Sequence, residues 1–115
     1  MRKKILWLSQ HKPLSSQRKE LENLFGEIML LRDVSPFANA KDIVQRYLAG
    51  GYDDLVVVAP LSVIERLCQM GIHPLWAEME QVENDGSAEV VVRERFYRFV
   101  EFKRIKAVKL EFMEV

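Results

Sequence analysis

Three short apolar runs, separated by stretches of helical spacing, set what this chain can fold into. Residues 3–9 carry Ile5-Leu6-Trp7-Leu8, residues 27–33 carry Ile28-Met29-Leu30-Leu31, and residues 55–59 read Leu55-Val56-Val57-Val58-Ala59. Each run is continuous rather than alternating, the pattern of a strand buried on both faces. Between the first two, Leu14, Leu21, Leu24 and Phe25 share one helical face. Between the second and third, Ala40, Ile43, Val44, Tyr47 and Leu48 do the same. After the third, Val63, Ile64, Leu67 and Cys68 point inward from a helix over 61–70.

The helix ends are marked. Asn39 with Asp42 three residues later, and Ser62 with Glu65, have capping-box spacing. Pro60 competes with Ser62 as the start of the third helix. Gly26, Gly50-Gly51 and Gly71 stand where helices stop. Strands that alternate with helices are joined by crossovers, which imply parallel pairing and right-handed connections. Residues 1–71 are therefore expected to form a parallel βαβαβα core.

The pattern changes after Gly71. Leu75, Ala77 and Met79 alternate with Glu78 and Glu80, which predicts a strand with one wetted face. Asn84-Asp85-Gly86-Ser87 is a turn sequence, and residues 88–93 read as the returning strand. Residues 95–104 fit either a short helix or a bulged strand. Residues 106–113 alternate again and predict a final strand. Residues 72–115 thus form an antiparallel extension, and the sheet is mixed. With 115 residues, two separate cores would each be too small. The fold class expected is α/β, a single three-layer flavodoxin-like or Rossmann-like domain over 1–115.

Charge narrows the function classes. Lys plus Arg and Asp plus Glu both number 17, which excludes a polycation that coats nucleic acid by bulk charge. The lone Cys68 cannot form an internal disulfide or a cysteine-rich zinc site. The apolar run after Met1-Arg2-Lys3-Lys4 stops after four residues, too short for a signal peptide or a spanning helix. A cytoplasmic location with no membrane association is the expectation.

In open α/β sheets ligands bind beyond the carboxyl ends of the parallel strands. That rule selects Ser9, Gln10 and His11 after the first strand, Arg32 at the end of the second and Ser62 after the third as binding residues for a small anionic ligand, each near a helix N-terminus. No G-x-G-x-x-G and no G-x-x-x-x-G-K-[ST] is present, so no dinucleotide or nucleoside triphosphate is expected as cofactor. Receiver-domain acids are absent, with Ser9-Gln10 and Ala59-Pro60 at the corresponding strand ends. His11 is the one candidate catalytic acid or base, with Ser9 and Ser15 as neighbours, but no G-x-S-x-G elbow accompanies it. No metal site is expected, since His73 lacks further ligands, and Asp53-Asp54 read as turn residues. The leading expectation is an accessory or regulatory binding module rather than an enzyme.

Two further readings concern the second half. Arg93, Arg95, Arg98, Lys103 and Arg104 interleave with Phe96, Tyr97, Phe99 and Phe102, a composition suited to single-stranded nucleic acid. The same residues also suit a strand whose cations face the acidic stretch Glu78, Glu80, Glu83, Asp85 and Glu89 across a ladder. A C-terminal strand at a sheet edge would pair with a second subunit, so a homodimer through that strand is expected.

Overall fold

A computed structural model describes residues 2–84 and 86–115; Asp85, within the turn expected at 84–87, lies outside the described residues. The elements run β1 (Lys3–Leu8), α1 (Ser15–Phe25), β2 (Ile28–Asp33), α2 (Ala40–Ala49), β3 (Asp54–Val57), α3 (Leu61–Gln69), β4 (Leu75–Val82), β5 (Val90–Val92) and β6 (Arg95–Arg104). The strands make one mixed six-stranded sheet in the order β2-β1-β3-β4-β6-β5. β1 pairs in parallel with β2 and β3, and β3 with β4. β6 pairs antiparallel with both β4 and β5. The sheet is strongly curled, toward a half-barrel.

Burial on both sides explains the apolar runs of β1 and β3; the run of β2, expected to be buried likewise, is only partly covered, because β2 is an edge strand with Leu31 exposed. Ile5 and Trp7 enter one cluster with Leu21 of α1, Ile28, Val56, Leu75 and Phe102. Leu6 and Leu8 enter the other with Ala40 and Ile43 of α2, Leu55, Val57 and Leu67 of α3. Alternation along β1 therefore divides its side chains between the two clusters. The Asn39 side chain accepts from the Asp42 N–H at 2.9 Å, and Asp42 accepts from Ala38 N–H at 3.0 Å. That N–H and the Arg46 guanidinium hold the Asp42 carboxyl below its ordinary pKa. α1 ends at Gly26, whose φ of 77° is a conformation that side chains with a Cβ resist.

Several expectations are corrected. The capping box at Ser62 does not form: α3 begins at Leu61 with Pro60 at the N-cap, and Ser62 falls in the first turn. Residues 88–93 are not the partner of β4. Their strand, β5, spans three residues and pairs only with β6. The longer β6 takes the place beside β4 and matches it along its whole length, with Val100 left over as a bulge between Phe99 and Glu101. This choice buries Phe102 edge-on against Trp7, ring centroids 6.3 Å apart. Residues 95–104 are accordingly a bulged strand, one of the two forms their pattern allowed.

The strand expected at 106–113 is absent: residues 105–115 have no regular secondary structure, and Leu110, Phe112 and Met113 are exposed. β5 covers the outer edge of β6 only over Arg95–Tyr97, but Ile105 donates to the Pro74 carbonyl and the chain then runs beside α3, away from that edge. The proposed edge contact loses the intramolecular strand on which it was based.

Candidate functional site

The strand order reverses between β1 and β3, and the loops leaving their carboxyl ends separate to opposite sides of the sheet. Two cavities open there. The smaller, about 160 Å³, lies toward α2 and is lined by Ser9, Gln10, His11, Asp33, Ser35 and Phe37 among others. The larger, about 410 Å³, lies toward α1 and is chiefly apolar. Its walls include Trp7, Leu14, Val56, Trp76, Met79 and Val92, and its polar residues are Ser9, His11, Lys12 and Gln17. Trp7 and Trp76 are the only tryptophans of the chain.

Local bonds fix the first loop. The Trp7 indole N–H donates to the His11 carbonyl at 2.8 Å, and the His11 backbone N–H donates to Ser9 Oγ at 3.1 Å. The Gln10 amide donates to the Val34 carbonyl at 2.6 Å, and the Arg32 guanidinium donates to the Gln10 carbonyl. These bonds hold the loop on the end of β2. Gln17, in the first turn of α1, is buried; its Oε1 accepts from Leu14 N–H at 2.8 Å, which satisfies a donor at the helix start.

The sequence candidates fare unequally. Ser9, Gln10 and His11 come together at the two cavities, and Arg32 supports them through Gln10. Ser62 lines neither cavity. Ser9 Oγ meets the backbone of His11, and among the described residues no bond joins the His11 ring to Ser9 or Ser15. The start of α1 is not vacant. Ser16 Oγ donates to Glu89, whose other oxygen accepts from Phe99 N–H at 2.8 Å. A carboxylate of the chain itself thus sits at the helix end that the sequence offers to an anion.

The basic segment is largely committed to partners. Arg98 pairs with Glu80, which faces it across the ladder. Lys103 lies 3.2 Å from Glu78 and 3.9 Å from Glu101. Arg104 makes two bonds to Asp54, at 2.6 and 2.9 Å, and one to the His73 carbonyl at 3.0 Å. Phe99 and Phe102 pack on the core cluster, 4.9 Å between centroids. Arg93 and Arg95 have no carboxylate partner among the described residues. The acidic stretch and the basic stretch attract across adjacent strands, as their charge distribution anticipated.

Asp54 is more than a turn residue. It starts β3, is only 4% exposed, and meets Lys3 at 3.5 Å as well as Arg104. Asp54 raises the pKa of the Arg104 guanidinium further. Together with Tyr47, Asp53 and His73 these groups line a polar cavity of about 350 Å³ at the amino ends of the strands. The sequence hint was an acid immediately before a fully apolar strand.

Sequence patterning located Ser9 and His11 but missed the wall contributed by Trp76, Met79, Val90 and Val92. Among the described residues no group of three or more His, Cys, Asp or Glu could hold a metal ion, and no helix is long and apolar enough to cross a membrane. No protein-family model, curated protein or solved structure matches the chain.

Proposed function

We propose that this protein is a small binding module of the flavodoxin-like type, and that its ligand is an amphipathic anion seated in the α1-side crevice between β1 and β3. One observation carries the reading: the crevice is a largely apolar cavity of about 410 Å³ at the point where strand order reverses. Cavities of roughly 300–1,000 Å³ with apolar walls and a few polar groups are the usual form of small-molecule sites. The order β2-β1-β3-β4 also supports the fold assignment, since it is the arrangement of flavodoxin-like sheets.

The lining selects the ligand class. Trp7, Val56, Trp76 and Met79 receive an apolar body. Lys12 and His11 stand at the wall as the groups able to pair with an anionic head. Glu89 at the start of α1 repels an anion there, which directs the head to Lys12. A medium-chain or aromatic carboxylate has this shape and charge. The role is one of binding in an accessory or regulatory capacity, in the cytoplasm, without catalysis by His11.

Both tryptophans line the crevice, so intrinsic fluorescence reads its occupancy directly. Titration with decanoate is expected to shift tryptophan emission saturably. Lys12→Glu should weaken decanoate by about tenfold, the effect of losing a charge-assisted contact of ~1.4 kcal/mol, while leaving decanol unchanged. Emission that does not respond to decanoate, or a loss equal for acid and alcohol in Lys12→Glu, refutes the assignment.

A further inference from the structure

We propose that residues 106–113 of one copy of this chain add as a strand to the free edge of β2 in a second copy, giving a dimer with reciprocally exchanged arms. The dimer does not involve the crevice and joins two surfaces that lack partners among the described residues.

The first is the outer side of β2. This strand pairs with β1 through six residues on one side. On the other side it has no backbone partner among the described residues. Its middle, Met29-Leu30-Leu31, contains no proline, lysine or bulge, the devices that protect sheet edges from association. Leu31 is 37% exposed.

The second surface is the arm. In an extended chain Val108, Leu110 and Phe112 fall on one side, and Lys109, Glu111 and Met113 on the other. Phe112 is 89% exposed, and Leu110 and Met113 are similarly open. The arm leaves the fold at Ile105, whose N–H donates to the Pro74 carbonyl at 3.0 Å, and then passes Glu65, Cys68 and Gln69 of α3. Its own β2 lies beyond β3 and β1, across a face that α2 and α3 already cover. Its path along α3 also leads away from the part of β6 that β5 leaves uncovered, so the β2 edge it meets is that of another molecule.

Charge selects the register. With the arm antiparallel to β2 and Phe112 opposite Leu31, Glu111 stands opposite Arg32 and Met113 opposite Leu30. Arg32 has no carboxylate partner among the described residues. Strand addition of this kind gains affinity from main-chain hydrogen bonds and specificity from alternate side chains. Reciprocal exchange closes the assembly at two copies.

Sedimentation of the full chain is expected to give twice the 13.5 kDa chain mass at micromolar concentration. The double variant Leu110→Asp, Phe112→Asp should keep the circular dichroism of the fold and raise the dimer dissociation constant by about a hundredfold or more. In a Cys68→Ala background, mixing Phe112→Cys with Leu31→Cys should produce an intermolecular disulfide, since directly opposed strand residues are close enough for one. Phe112→Cys mixed with Val91→Cys should not. A monomeric full chain, a dimer that survives the double variant, or equal cross-linking at Val91 overturns the proposal.

Discussion

β1 and β6 are strands of one sheet, yet they are held in place differently. In β1 the last four residues, Ile5 to Leu8, are all buried, and they divide between two apolar clusters. In β6 only Phe102 of ten residues is buried, and the solvent side carries cations paired with the glutamates of β4. The parallel half is stabilised by area removed from water, which is non-directional and is not weakened by ionic screening. The antiparallel half relies on fewer apolar contacts, chiefly Leu75, Phe99 and Phe102, together with cross-strand charges and the junction Asp54–Arg104, which ties the end of β6 to the start of β3. One sheet thus has a side held by burial on both faces and a side held largely by paired charges at its solvent surface. The large crevice lies where the two meet, with Trp7 and Val56 on one side and Trp76 and Met79 on the other.

The largest effect belongs to the parallel half: Leu6→Ala should lose about 2–5 kcal/mol in urea unfolding, because a nearly sealed site cannot collapse around the cavity. Asp54→Ala comes next, at about 2–3 kcal/mol. This is below the cost of breaking a fully buried ion pair because Arg104 is partly exposed and can rehydrate. The order inverts if β6 is the more essential half.

The turn between β5 and β6 offers a gain. Arg93 and Glu94 hold φ values of 51° and 66°, both in the left-handed region that residues with a Cβ resist. The double substitution Arg93→Asn, Glu94→Gly supplies the residue types that tolerate this backbone, and it should stabilise the hairpin by about 1 kcal/mol and raise the melting temperature. An unchanged melting temperature would mean that the hairpin contributes nothing to the cooperative unit. The smallest effect is the Glu80–Arg98 pair, whose coupling in a double-mutant cycle should be ~0.2–1 kcal/mol and should fade with added salt.

Alkaline titration probes the junction from another direction. Burial raises the pKa of the Tyr47 phenol, and the carboxylates of Asp54 and Asp53 raise it further, against a smaller opposing effect of Arg104. A folded-state pKa above the unfolded value of 10.0 means that the associated stability is complete below that pH and is lost as pH rises through the folded value. Unfolding free energy should therefore fall above about pH 10, and Tyr47→Phe should flatten that decline. Ultraviolet absorbance should show a phenol titrating above pH 10 that disappears in Tyr47→Phe; a difference curve centred at or below pH 10 would contradict the burial argument.

Much of the parallel half was legible because its determinants are local. The apolar runs at Ile5–Leu8 and Leu55–Val57 became β1 and β3, and Asn39 capped α2 as its spacing requires. The C-terminal third was legible as alternating residues but not as a pairing scheme. Val90–Val92 and residues 95–104 both looked able to pair with residues 75–82; the longer β6 took that place with Phe102 inside. Residues 106–113 had the alternation of a strand and found no ladder. Of the residues that line the crevice, Ser9 and His11 followed from strand polarity, whereas the wall formed by Trp76 and Val92 required the curl of the sheet.

By itself the sequence determined the alternating strands and helices of residues 3–69, the Asn39 cap of α2 and the apolar runs of β1 and β3 that form the core. These properties depend on neighbours within one or two turns of chain. The tertiary structure decided which strand lies beside β4, which carboxylate meets Arg104 and what shape the crevice has. Those outcomes depend on competition among distant segments for the same hydrogen-bonding edge and the same dry interior. Side-chain periodicity records that a segment wants a partner, and only the packed whole settles which partner it obtains.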